Sequence, residues 1–120
     1  MIEDDDKNIH VNRYRKVNKA VKHDGGKTRM SLLPYTFTKA VSDVMTFGAE
    51  KYAAWNWAKG MSWSRVLDAA YRHMGAWQEG EDVDPESGLS HLAHASCCLA
   101  FLIVYQAKEI GADDRHTYEY

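Results

Sequence analysis

Between Arg72 and Cys98 the chain reads RHMGAWQEGEDVDPESGLSHLAHASCC, and residue types able to do metal or acid–base chemistry stand there almost without filler. Glu79, Glu81, Asp82, Asp84 and Glu86 crowd one short connection. Carboxylates at that density repel one another unless something positive sits among them. A hard divalent cation such as Mg²⁺ is the usual partner, with some positions left to water or substrate phosphates. A solvated acidic loop that also caps a helix accounts for the same five residues. The histidines shift the balance. His91 and His94 stand three apart, so both rings project from one helix face close to the acids, where a polar mouth meets Cys98 and Phe101. His73, on the preceding helix, faces them if the two helices pack antiparallel across the turn. Three histidines and several carboxylates then surround one site.

The elements that must position these groups are helices. Trp63, Val66, Leu67, Ala70, Met74 and Trp77 form one apolar stripe, which carries Arg72 and His73 beside its far end. Gly60 precedes this helix, Ser62 or Ser64 caps it, and Gly80 ends it by turning left-handed. Asp84-Pro85 reads as N-cap and first residue of the next helix. There Leu89, Leu92, Ala93, Leu99, Leu102 and Ile103 predict the most buried element, ending near Gly111. Upstream, Leu33, Phe37, Ala40, Val41, Val44 and Met45 recur at helical spacing, with Pro34 near the start and Gly48 just past the end. No segment of period two and no internal repeat is present. The predicted class is all-α, a small helical bundle.

With 120 residues the chain makes one domain, small enough that an oligomer would help to hide its apolar faces. Residues 1–21 predict a flexible charged arm, 22–111 the all-α catalytic domain, and 112–120 a polar tail. A net charge of −2 argues against a nucleic-acid polymer as partner but leaves a nucleotide open as substrate. Cys97 and Cys98 are adjacent in an apolar helix, where a structural disulfide is implausible; this fits a reducing cytoplasm. No signal peptide is visible, and the longest apolar run, Ala95 to Tyr105, is too short to span a bilayer.

Two further stretches offer ligand contacts. His23-Asp24-Gly25-Gly26-Lys27 is a turn whose glycines let backbone N–H groups approach a phosphate, with Lys27 or Arg29 supplying charge. In AEKYAAWNW, residues 49–57, the aromatic side chains serve either core packing or base stacking, and Asn56 and Trp57 are the candidates for the base. Glu50 is a further candidate metal ligand, and Lys51 a candidate for phosphate.

HDGGKTRMSLLP, TFGAEKYAAWNW, and RH ahead of GEDVDPESGLSHLAH together resemble the phage-associated dATP/dGTP diphosphohydrolase N-terminal family, which includes the MazZ proteins. The resemblance covers roughly residues 22–107. It implies an all-α, MazG-like nucleoside triphosphate pyrophosphohydrolase that cleaves dGTP or dATP to the monophosphate and pyrophosphate with Mg²⁺. The family's pattern falls on Lys27, Asn56, Trp57, Arg72, His73, Glu81, Asp84, Glu86, His91 and His94. MazG proteins hold Mg²⁺ with Glu-x-x-Glu and Glu-x-x-Asp on successive helices, and the helices expected here carry neither pair. His91-Leu92-Ala93-His94 stands where the second pair would be, and imidazoles suit Zn²⁺, Mn²⁺ or Fe²⁺ better than Mg²⁺.

The expected chemistry is metal-assisted hydrolysis. The metal ligands are then Glu50, Glu81, Asp84, His91 and His94, and the catalytic group is Arg72, His73, Glu81 and Asp84. Lys27, Lys51, Asn56, Trp57 and Arg72 hold the substrate. One rival is a metal-dependent hydrolase that releases nucleoside and inorganic triphosphate. The other is a non-enzymatic helical phage interaction protein whose histidines hold a structural Zn²⁺.

Overall fold

A computed structural model describes residues 20–119, so the predicted arm lies outside the described residues apart from Ala20 and Val21. The chain divides into two compact units between Met30 and Ser31. In the first, Lys27 N–H donates to the Asp24 carbonyl at 3.2 Å and Gly26 is left-handed, as the Gly-Gly turn requires.

The second unit holds three α-helices: α1, Tyr35–Lys51; α2, Trp63–Gln78; and α3, His91–Lys108. Short 3₁₀ turns occupy Met30–Leu32 and Asn56–Lys59. Among the described residues there is no strand, only isolated bridges joining Ser62 to Ala112 and Val83 to Ser90. The chain is all-α, and none of its described helices is long and apolar enough to cross a membrane.

Helix α3 is the element against which both others pack. It is apolar on nearly every side, and its sequence leaves small residues, Ala93, Ala95 and Cys97, where neighbours come close. Val44 of α1 meets Ala93 and Cys97 in the core, flanked by Ala40, Val41, Met45, Leu89 and Phe101. Cys97 Sγ lies 3.5 Å from Met45 Sδ, and both cysteines are free thiols. Burial pushes the Cys97 thiol up to about 12, so it is an inert core residue. Tyr105 is fully buried and donates its hydroxyl to the Trp57 carbonyl at 2.6 Å. The same carbonyl also accepts from Gly60 N–H at 3.0 Å, so removing the hydroxyl would lose one hydrogen bond, about 0.5–1.5 kcal/mol, without stranding its acceptor.

Three sequence expectations need correcting. Gly48 does not end α1. It keeps a right-handed conformation, its carbonyl accepts from Tyr52 N–H at 2.8 Å, and the helix runs on to Lys51. A helical glycine costs about 1 kcal/mol relative to alanine, too little to stop a helix that still has bonds to make. Second, α3 begins at His91, not at Pro85, because Asp84 caps a local turn instead. Third, Leu92, Leu99 and Ile103 are exposed on α3, since the helix buries its other faces against α1 and α2.

The start of α2 is tied to the chain beyond α3. Trp63 Nε1 donates to the Ile110 carbonyl at 2.8 Å and Trp63 N–H to the Ala112 carbonyl at 3.0 Å. Ser62 is the N-cap residue but offers no side-chain cap. The Asp114 carboxylate does that from fifty residues away, accepting from Ser64 N–H at 2.9 Å and from the Ser64 hydroxyl. The close passage needs two glycines. A Cβ on Gly60 would lie 2.8 Å from Gly111 N, and one on Gly111 would collide with the Met61 carbonyl. The described residues of the expected polar tail, 112–119, are exposed, yet their first part is anchored.

Candidate metal centre

Helix α2 presents His73 near its end, and the first turn of α3 presents His91 and His94. The connection between them is a tight hairpin, not a helix start. Gly80 turns left-handed after α2, Asp84 N–H donates to the Leu89 carbonyl at 2.8 Å, and His91 N–H donates to the Asp82 carbonyl at 3.0 Å. Inside it, Asp84 Oδ1 accepts from the Glu86 and Ser87 amides at 2.8 and 3.2 Å. Left-handed Gly88 stops that turn from growing into a helix. Ser90 is the true cap of α3, its hydroxyl oxygen accepting from Leu92 and Ala93 N–H.

His73, Asp84 and His91 each offer one ligand atom, and the three atoms lie within 4.8 Å of one another. His73 Nδ1 and His91 Nδ1 are 2.9 Å apart, and His73 Nδ1 lies 3.9 Å from Asp84 Oδ2. Nitrogens bound at about 2.1 Å to one ion at right angles stand about 3.0 Å apart, so this spacing fits two ligands of one metal. The donor chemistry fits a divalent transition ion better than Mg²⁺, which prefers an all-oxygen shell.

Around these three, two residues hold rings in place. Glu81 Oε1 is 2.6 Å from His91 Nε2, which puts the proton on Nε2 and leaves Nδ1 to face His73. A carboxylate behind a ligating histidine is the usual outer support of a metal site. His94 stacks on His73, centroids 4.5 Å apart and planes 10° apart, while its Nε2 lies 2.7 Å from Ser87 Oγ. Ser87 Oγ already accepts from Leu89 N–H, so its own proton can go to His94.

Electrostatics keep the group ready for a cation. Burial pushes His73 below its ordinary value, and the nearness of His94, His91 and Arg72 adds to this against the pull of Asp84. Burial likewise lowers His94, opposed by Asp84. Burial alone would raise Asp84, but the Glu86 and Ser87 amides and the two histidines outweigh it and hold the carboxyl low. Neutral imidazoles beside an ionised carboxylate are the protonation states that metal binding requires.

The remaining candidates are placed as follows. Glu81 and His94, expected as ligands, stand outside the three-residue group as supports of His91 and His73. Glu50 is exposed and lines a cleft with Phe47, Lys51 and Glu86. Lys51 Nζ donates to Glu86 Oε2 at 2.6 Å. Arg72 is exposed on α2, one residue before His73. Trp57 stacks on Phe101 at 4.5 Å, which closes that face of its ring to a base; Asn56 beside it is half-buried. Lys27 belongs to the first unit. Ser87 and Phe47 were missed from sequence. Nothing in PESG marks its serine, whereas Phe47, which meets the His94 ring at right angles with centroids 6.4 Å apart, follows Ala40 and Val44 at helical spacing and reads only as one more apolar residue of α1.

The profile of the family described as dATP/dGTP diphosphohydrolase, N-terminal, matches residues 17–115. A dATP/dGTP diphosphohydrolase of Salmonella phage PMBT28 is 38% identical over 95 residues, 79% of this chain. The chain spans about a third of that curated relative, 32% of its length. No solved structure matches. The chain belongs to the dATP/dGTP diphosphohydrolase N-terminal family.

Proposed function

We propose that this chain is the catalytic unit of a metal-dependent hydrolase, which cleaves purine deoxynucleoside triphosphates, dGTP and also dATP, to the monophosphate and pyrophosphate. The observation that carries the reading is the clustering of His73, Asp84 and His91, with Glu81 fixing the His91 tautomer. These residues would hold the ion, Mg²⁺ or, better suited to the two nitrogens, Mn²⁺, Fe²⁺ or Zn²⁺. Such an ion supplies Lewis-acid polarisation of a phosphoryl oxygen and an activated water. The chain's own residues do the rest. Arg72, solvent-facing beside His73, offsets charge that builds on the phosphates. Glu81 holds His91, and Ser87 holds His94 against the His73 ring, so that the ligand set is formed before substrate arrives. The family name of the phage relative supports the substrate class.

Clustered histidines and an aspartate also suit cleavage at the ester bond, with nucleoside and inorganic triphosphate as products. Incubating the purified protein with each common nucleoside triphosphate, after chelation and addition of single divalent metals, separates the readings. Deoxynucleoside monophosphate and pyrophosphate are expected. Inorganic triphosphate would put the cut at the ester bond, and no turnover with any metal would leave a structural centre in a binding protein.

A further inference from the structure

A cleft of about 330 Å³ lies beside the metal centre, lined by Phe47, Glu50, Lys51 and Glu86. It is shallow and open to solvent, so a ligand lying in it would keep one face exposed. Two links join it to the centre. The Phe47 and His94 rings meet at right angles, His94 stacks on His73, and Glu86 donates its backbone amide to Asp84. A molecule reacting at the centre therefore has this cleft as a neighbouring place for its unreacted part.

Which part fits is decided by charge. Two carboxylates against one ammonium leave the cleft net negative, and a phosphate entering it would meet repulsion. A neutral heterocycle would meet an apolar wall at Phe47 and a donor and acceptor side by side, Lys51 Nζ and Glu86 Oε2 at 2.6 Å. The Lys51 ammonium lies 5.9 Å from the Phe47 centroid and 5.2 Å from that of Tyr52, so it is held over the aromatic wall. Guanine presents O6 as acceptor next to the N1–H and 2-amino donors. Lys51 would donate to O6, while Glu86 accepts from both nitrogens in a bidentate pair. Adenine offers one donor and one acceptor on that edge and satisfies the carboxylate only once.

We propose that this cleft is the base pocket of the enzyme, with Lys51 and Glu86 reading the guanine edge against the Phe47 wall. The proposal rests on the triphosphate-hydrolase reading above, and it moves Lys51 from the phosphates to the base. The test compares kcat/KM for dGTP, dATP and deoxyinosine triphosphate in wild type, Glu86→Gln and Lys51→Met, with inhibition by inorganic tripolyphosphate measured alongside. Glu86→Gln should lower kcat/KM for dGTP by about 10- to 100-fold, the range for one bidentate base contact. Deoxyinosine triphosphate and dATP should lose less, and tripolyphosphate inhibition should not change. Equal losses on all three nucleotides together with weaker tripolyphosphate inhibition would make the cleft a phosphate subsite and overturn the proposal. Unchanged kinetics in both variants would overturn it as well. If wild type hydrolyses no nucleotide, the catalytic reading fails, and the cleft is judged by deoxyguanosine. Chemical-shift changes at Phe47 and Lys51 that are lost in Glu86→Gln would sustain base binding; their absence would end it.

Discussion

Replacing Glu81 with glutamine separates a supporting carboxylate from a metal ligand. The Glu81 carboxylate is about half exposed, yet its Oε1 is 2.6 Å from Nε2 of His91, a residue only 3% exposed. Glutamine keeps an acceptor oxygen there but loses the charge, so the ring should hold its tautomer with a weaker bond. Charge-assisted hydrogen bonds contribute about 1.5–3 kcal/mol against about 1 for neutral ones, a difference of roughly 0.5–2 kcal/mol. Mutations of such outer supports typically lower metal affinity about 10- to 100-fold. Glu81→Gln should therefore weaken binding by about tenfold, or ~1.4 kcal/mol, and Glu81→Ala by more. The stoichiometry should stay at that of wild type. Titration calorimetry with Mn²⁺ or Zn²⁺ on chelator-stripped protein measures both quantities. Undiminished affinity in Glu81→Ala would refute the support role, and loss of all binding in Glu81→Gln would make Glu81 a ligand in its own right.

Gly111→Ala should cost 2 kcal/mol or more, because its Cβ would strike the Met61 carbonyl in a left-handed conformation, whereas Gly48→Ala has open space and should stabilise by about 0.5–1 kcal/mol. Thermal melts of both variants check the contrast; equal melting temperatures would contradict it. The segment after α3 should release from α2 in acid. The Ser64 hydroxyl and amide hold the Asp114 carboxyl low, and the Arg115 guanidinium takes Asp113 to about 2, so their stabilisation is complete above the ordinary value of 3.8 and is lost as pH falls through the depressed values. Trp63, bonded to Ile110 and beneath Arg115, reports this by fluorescence, and no spectral change between pH 5 and about 2 would count against it. Self-association is also expected, since Leu92, Leu99 and Ile103 form an exposed stripe on an otherwise apolar helix. A monomer mass from light scattering at micromolar concentration would exclude it.

Much of the fold was legible because helical periodicity and glycine placement are local signals. The left-handed turn at Gly80 needed only its neighbours, and so did the shared face of His91 and His94. The start of α3 was misread because D-P-E-S and S-H-L-A both look like caps. Which one caps depends on where Asp84 Oδ1 finds its amides, and left-handed Gly88 decides that. The roles within the centre were less visible still. Glu81, Asp84 and His94 have equal claims as ligands in one dimension. Only the hairpin sends Oδ2 of Asp84 toward His73, sets Glu81 behind His91 and gives His94 to Ser87. The pairing of Ser64 with Asp114, and of Gly60 with Gly111, joins residues some fifty positions apart, and nothing local announces it.

We propose that His73, Asp84 and His91 hold one divalent ion. Chelator-stripped protein titrated with Co²⁺, a coloured stand-in for Zn²⁺ or Mn²⁺, tests it through visible absorption bands that report nitrogen and oxygen ligands. One ion per chain is expected in wild type, with the bands lost in His73→Gln and in Asp84→Asn while both variants keep their helical content. No bands in folded wild-type protein, or bands that survive both substitutions unchanged, would contradict it.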